Sequence, residues 1–285
     1  MKILIDIFIP AALIAAVLTV LGWILGVVLP TDETSAWAAG GLSGLMLSFV
    51  ASFVLAAPLY FPVSRSRLTG RSLLGVVFLA VFGLTTVLTL VEAALFLQMT
   101  TRELMVEFVR STLVAAALAW LAAALYQRAE LESSEPSPRE NPPSSASWVR
   151  RWVGVSLLYV VLYLTAGLLI LPIIRTWYES QGMLDVNPAV LLPLQIARGA
   201  LYVAFVVPLL RSMQVSRWQA GLSMAVMVPL VHGVAGLIAP NPYMPDHVRY
   251  AHMVEIGWSN FVLGLVIGFL FWKPCSSVEE SSDSR

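Results

Sequence analysis

The chain has 285 residues, of which 58% are hydrophobic and only 12% are charged, and its mean hydropathy is +0.82. This composition lies outside the range of soluble globular proteins. The 17 basic and 17 acidic residues cancel, so no net charge favours nucleic acid or an acidic partner, and the single cysteine excludes an internal disulfide.

Eight apolar stretches follow one another along the chain. Each suits a hydrocarbon core about 30 Å thick, because a helix rises about 1.5 Å per residue. Lipid cannot satisfy exposed backbone groups, and no sustained alternation of apolar and polar residues favours a barrel, so an all-α polytopic membrane protein is predicted. The predicted spans are 6–29, 36–60, 73–97, 104–126, 152–174, 188–210, 218–239 and 250–272.

The first stretch resembles a signal peptide in two respects, since Lys2 precedes it and Ala36-Trp37-Ala38 loosely matches a cleavage site. The apolar run from Ile7 to Leu29 is nevertheless longer than a normal signal core. We therefore expect it to remain in the protein as the first helix.

The positive charges of the loops predict the orientation. With a cytoplasmic N-terminus, only Arg102, Arg175 and Arg249 fall in the outer loops, against 12 basic residues on the inner side. This bias agrees with the positive-inside rule and predicts a multi-pass protein of the cell membrane with both termini in the cytoplasm. The inner set is Lys2, Arg65, Arg67, Arg71, Arg128, Arg139, Arg150, Arg151, Arg211, Arg217, Lys273 and Arg285.

A long polar break divides the eight spans into four and four. Residues 128–150 are rich in Ser, Pro and Glu, a composition that cannot form a core and that predicts a disordered cytoplasmic linker. The tail 275–285 is predicted to be disordered for the same reason. The membrane domain then consists of a first half, 1–127, and a second half, 151–274.

The two halves share short motifs at a nearly constant spacing. Met105-Val106-Glu107 opens the fourth span and Met253-Val254-Glu255 opens the eighth, 148 residues later, while Pro58-Leu59 matches Pro208-Leu209 at a spacing of 150. Because four is an even number, both halves would enter the membrane in the same direction. The pattern predicts two parallel four-helix repeats, with chance similarity of apolar helices as the alternative.

Several polar side chains lie inside the predicted spans, where a charge costs about 2.5–3.5 kcal/mol. Arg198 lies near the midplane of the sixth span and shares a helical face with Gln195 and Tyr202. In the eighth span, His252 and Glu255 share a face. The other polar residues noted inside or at the ends of the predicted spans are Ser259, Asn260, Thr85, Thr89, Glu92, Glu103, Glu107, Arg110 and His232.

The depth of these residues favours a cavity on one side of the membrane. In the predicted orientation, every titratable group well inside a span lies in the outer half or near the middle, apart from Asp6 near the start of the first span. The inner half is almost purely apolar. We therefore expect a polar cavity that opens toward the extracytoplasmic side.

The first functional hypothesis is a transporter or binder of a small anionic solute. Arg198 would hold a carboxylate or phosphate by paired hydrogen bonds, and Glu92, His252 and Glu255 would titrate as proton-coupling groups. The candidate ligand-binding residues are Arg198, Glu255, His252, Gln195, Tyr202, Asn260, Glu92, Glu107 and His232.

An intramembrane enzyme is the second hypothesis. His252 and Glu255, three residues apart, are candidate metal ligands, and His232, Glu107 or His247 would complete the set. The chain has neither an HExxH motif nor a Gly-x-Ser-x-Gly elbow, so no catalytic residue is assigned and no metal or other cofactor is expected.

The third hypothesis is an accessory or sensory membrane protein whose polar residues hold the two halves together. In that case Glu107 would pair with Arg110, and Arg198 would pair with Glu107 or Glu255.

Overall fold

The computed structural model describes residues 2–30, 41–97, 99–127, 145–182, 187–240 and 244–272. Within these ranges, eight helical spans are long and apolar enough to cross a membrane, which confirms the predicted all-helical class and is compatible with a multi-pass membrane protein. Spans 1 to 8 are Ile5–Val28, Gly41–Ser64, Gly70–Phe96, Thr101–Tyr126, Ala146–Ser180, Pro188–Ser212, Arg217–Leu237 and Asp246–Phe271.

The helix of span 5 begins earlier than predicted. It runs over Ser145–Ser180 and so includes the last residues of the predicted linker. Its first turns are held by the rest of the protein, because Trp148 stacks 5.3 Å from Phe271 and Arg151 donates to the carbonyl of Leu270 at 2.7 Å. Residues 128–144 of the linker and the predicted disordered tail lie outside the described residues.

The start of span 8 also differs from the prediction, which placed Arg249 in an outer loop. Arg249 lies in the first turn of the helix and is only 2% exposed. Its guanidinium donates to the carbonyls of Leu237 and Ile238, at 2.7 Å each, and to Asp246 at 2.7 Å. The arginine therefore ties the end of span 7 to the start of span 8.

The spans pack in the same order within each group of four. Span 1 packs on spans 2 and 4, and span 3 packs on span 4. In the second group, span 5 packs on spans 6 and 8, and span 7 packs on span 8. The two groups meet where span 3 contacts spans 6 and 7 and where span 2 contacts span 7.

Spans 3 and 7 begin with the same succession of helix types. Each begins with a 13-residue α-helix, Gly70–Phe82 or Arg217–Pro229, and each continues into a five-residue π-helix, Gly83–Val87 or Leu230–Val234. The two π-helices are joined by a hydrogen bond of 2.9 Å from Nδ1 of His232 to the carbonyl oxygen of Leu84. They lie where the two groups of four spans meet.

Glycines allow the backbones of spans 7 and 8 to approach closely. A Cβ atom on Gly264 would lie 2.3 Å from the carbonyl oxygen of Met224, and one on Gly268 would lie 2.6 Å from Cα of Gly221. Small residues at such crossings are common between helices in membranes, where close van der Waals packing drives association.

One end of the bundle is closed by contacts between connections. The chain after span 2 pairs with the chain after span 6, since Arg67 N–H donates to the carbonyl of Ser212 and Gln214 N–H to that of Arg65, both at 2.8 Å. This is the basic end of the bundle, and the opposite end is called the cavity end. A buried apolar core fills the basic half, with Leu59, Val63, Leu73, Leu118, Leu209, Leu210, Met224 and Ile267 among its members.

Candidate functional site

A cavity of about 690 Å³ lies in the half of the bundle toward the cavity end. All eight spans contribute to its wall, through residues far from the basic end, such as Leu18 to Leu25 in span 1 and Glu107 to Val114 in span 4. Seven of the nine candidate ligand-binding residues line it: Glu92, Glu107, Arg198, His232, His252, Glu255 and Asn260. Gln195 and Tyr202 are fully buried and do not line it.

Arg198 is the most deeply buried charge of the cavity wall, with its side chain 1% exposed. Its Nη2 donates to Oε2 of Glu92 at 2.7 Å, and its Nη1 donates to Oε1 of Gln195 at 3.0 Å. The guanidinium lies 5.5 Å from the ring centroid of Tyr159. The hypothesis that Arg198 pairs with Glu107 or Glu255 is wrong, because span 6 packs on span 3, which supplies Glu92.

The partner of Arg198 is much less buried than Arg198 itself. The Glu92 side chain is 34% exposed and lines the cavity. Among the described residues, Nε of Arg198 and Nε2 of Gln195 have no hydrogen-bond partner. The guanidinium therefore retains an unused donor, and its carboxylate partner is reachable from the cavity.

Three aromatic rings pack in a row beside Arg198. Tyr159 of span 5 packs on Tyr202 with ring centroids 5.1 Å apart, and Tyr202 packs on His232 in a T-shaped arrangement with centroids 5.2 Å apart. Sequence reasoning missed Tyr159, although Tyr159 and Tyr163 share a face of span 5 by their four-residue spacing. This spacing was the feature of the sequence from which an aromatic face on span 5 could have been predicted.

His252 and Glu255 form a second polar group, on span 8. Nδ1 of His252 lies 2.6 Å from Oε2 of Glu255, and Nε2 lies 3.1 Å from the hydroxyl of Tyr178. In the neutral ring with its proton on Nδ1, Nδ1 donates to the carboxylate and Nε2 accepts from the tyrosine hydroxyl; in the protonated ring both nitrogens donate. Tyr178 is a further residue that sequence reasoning missed.

Glu107 and Arg110 form the third group, on span 4. They pair with each other, as the accessory hypothesis expected, and both side chains are largely buried, at 16% and 7% exposed. Ser111 donates to the carbonyl of Glu107 at 2.6 Å, and Ser259 donates in the same way to that of Glu255.

The candidate metal ligands do not come together. His232 uses Nδ1 to bind the Leu84 carbonyl, and His247 lies exposed in the first turn of span 8. Within the part of the chain that the structure describes, no group of three His, Cys, Asp or Glu side chains is placed to hold a metal ion. His252 and Glu255 thus remain a pair without a third ligand among these residues.

Most of the cavity wall is apolar. Leu164 and Leu168 line it from span 5 and are 40% and 69% exposed. The wall therefore combines a few charged pairs with a larger apolar surface, an arrangement found in sites for small organic ligands.

Comparison with protein-family models, with curated proteins and with solved structures finds no match to this chain.

Proposed function

We propose that the protein spans the cell membrane eight times, with both termini in the cytoplasm, and binds a small anionic solute in the cavity. The observation that supports this most is Arg198, a buried cation on the cavity wall whose carboxylate partner is accessible. The excess of arginine at the basic end supports the orientation, which turns the cavity outward.

The difference in exposure between Arg198 and Glu92 suggests how an anion would bind. A buried cation without a partner is strongly unfavourable, so Glu92 stabilises Arg198 when no ligand is present. The carboxylate or phosphate of a ligand would replace Glu92, because the glutamate can turn into the cavity whereas the packed arginine cannot. Arg198 would then hold the ligand by paired hydrogen bonds.

The apolar wall restricts the rest of the ligand. A volume of about 690 Å³ lies in the range usual for drug-sized ligands. Charged groups of the wall are paired with one another, whereas leucines such as Leu90, Leu164 and Leu171 have no polar group to offer. We therefore propose an anionic solute with an apolar body, rather than a small inorganic ion.

Transport is the part of the proposal that rests on symmetry. The matching π-helices of spans 3 and 7 and the matching packing order support two parallel repeats, with halves 1–127 and 151–274. Transporters built from parallel repeats bind substrate between their halves and rock one half against the other. Glu92, His252 and Glu255 would couple this motion to protons.

The test uses the purified full-length protein and a panel of aliphatic and aromatic monocarboxylates and phosphate monoesters, with matched ammonium compounds as controls. A binding anion should raise the unfolding temperature of the wild type. Arg198→Gln should weaken that response about tenfold or more in ligand concentration, because charge-assisted hydrogen bonds are lost.

Glu92→Gln separates binding from folding. Because this variant removes the competing carboxylate and keeps the cation, it should respond to lower anion concentrations than the wild type. A matched control is Arg175→Gln, which removes an exposed arginine that pairs with Glu179 and does not line the cavity. If Glu92→Gln and Arg198→Gln merely lose stability and no anion of the panel distinguishes them from the control, the accessory role is favoured instead.

A further inference from the structure

Three arginines converge at the basic end, away from the cavity. Arg67 follows span 2, Arg151 lies in span 5, and Arg211 lies in the last turn of span 6. The backbone pairing between Arg67 and Ser212 brings the first and third together. Arg211 experiences the like charges of both Arg67 and Arg151.

The side chains of two of these arginines are held in place by other parts of the protein. The guanidinium of Arg211 lies 5.0 Å over the ring of Trp148, and Nη1 of Arg151 donates to the Leu270 carbonyl at 2.7 Å. Both arginines are half-buried, whereas Arg67 is exposed. Two of the three guanidinium groups are therefore held close to one another, although like charges repel.

No carboxylate of the described residues compensates this repulsion. The ion pairs of the described ranges involve Arg110, Arg175, Arg198, Arg249 and His252, and none includes a member of the cluster. Guanidinium groups bind phosphate through paired hydrogen bonds, and basic pockets between spans bind anionic headgroups.

We propose that Arg67, Arg151 and Arg211 form a binding site for the phosphate of an anionic phospholipid, in the leaflet at the basic end. The cluster lies where span 5 begins and span 6 ends, which is the depth of the headgroups for a protein inserted along these helices. Trp148 supports this placement, since tryptophan side chains prefer the boundary between lipid and water. The site is separate from the proposed anion site at Arg198.

The experiment measures thermal unfolding of the full chain in neutral detergent with added dioctanoyl phosphatidylglycerol, dioctanoyl phosphatidylcholine or inorganic phosphate. We expect phosphatidylglycerol to stabilise the wild type and the other two to have little effect. Removing each arginine should raise the required lipid concentration roughly fivefold. Arg67→Gln and the double variant Arg67→Gln/Arg211→Gln test this.

The double variant Arg71→Gln/Arg150→Gln is the matched control, because it removes two exposed arginines of the same end. It should respond to phosphatidylglycerol like the wild type. An equal loss of response in this control would overturn the site, since the effect would then come from diffuse charge. A response to inorganic phosphate as large as that to phosphatidylglycerol would overturn the lipid as the ligand. Arg67→Gln keeps the test valid if Arg211→Gln impairs folding, because Arg67 is exposed and its hydrogen bond to Ser212 uses the backbone N–H, which the substitution keeps.

Discussion

Individual buried arginines in this protein differ in what they bind. Arg249 binds two backbone carbonyls and Asp246, so its role is to join two helix ends. Arg198 binds Glu92 and Gln195 beside a cavity. Nε has no hydrogen-bond partner among the described residues in either arginine, and burial is nearly equal, so the two differ in what surrounds them and not in depth.

The structural role of Arg249 predicts a loss of stability on substitution. Arg249→Gln leaves buried carbonyls without a charged donor and should lower the free energy of unfolding by about 2–3 kcal/mol. Denaturation in detergent measures this change. Arg175→Gln is the control, because its exposed ion pair with Glu179 contributes at most about 1 kcal/mol. Equal losses in the two variants would show that the carbonyl contacts of Arg249 add little.

Sequence reasoning located the polar residues well and their partners poorly. Hydropathy gives the depth of Arg198 or Glu255 directly, because depth follows from the position of a residue within its span. Pairing depends on which spans are neighbours, and this is decided by side-chain packing between helices. Hence the Glu107–Arg110 pair, one turn apart, was predictable, whereas the Arg198–Glu92 pair between spans 3 and 6 was not.

The backbones of spans 7 and 8 approach closely, and this approach depends on glycine. Gly264 faces the backbone of Met224, so no side-chain movement makes room for an added methyl group. A Cβ atom on Gly257, on the same helix, would lie 4.0 Å from its nearest neighbour, a methyl carbon of Val234. The two glycines therefore provide a matched comparison of close packing within one element.

Gly264→Ala should destabilise the protein by about 1–3 kcal/mol, because the helices must separate. Gly257→Ala should be neutral or stabilising by about 0.5–1 kcal/mol, because alanine favours a helix over glycine. Thermal unfolding of both variants in detergent checks the contrast. The same loss in both would contradict the close crossing of spans 7 and 8.

The π-helices show what a hydropathy pattern omits. Spans 3 and 7 were predicted as ordinary apolar helices, because an inserted residue does not change the average hydropathy of a span. The bond from His232 to Leu84 joins the two π-helices between the groups of spans. Such segments often occur at functional sites, which agrees with the proposed hinge between the two groups of spans.

For the whole molecule, the number of spans and the helical class followed from length and apolar composition alone, because lipid permits few other structures. The positions of charges along the spans predicted a polar cavity; the structure has a cavity in the half away from the basic end, but most of its wall is apolar. The early start of span 5 was not predicted. Trp148 and Arg151 contact span 8, which is distant in sequence; the hydrogen bond from Arg151 to Leu270 joins residues 119 apart.

The most direct measurement of the central claim is thiol labelling of intact cells in a Cys275→Ser background. Ser111 lines the cavity and Thr69 is exposed at the basic end. Ser111→Cys should react with a membrane-impermeant maleimide. An anion that stabilises the protein should slow this reaction, and Arg198→Gln should abolish that protection. Thr69→Cys should react only after permeabilisation. Labelling of Thr69→Cys in intact cells, or labelling of Ser111→Cys that no anion of the panel slows, would contradict an outward cavity that binds an anion at Arg198.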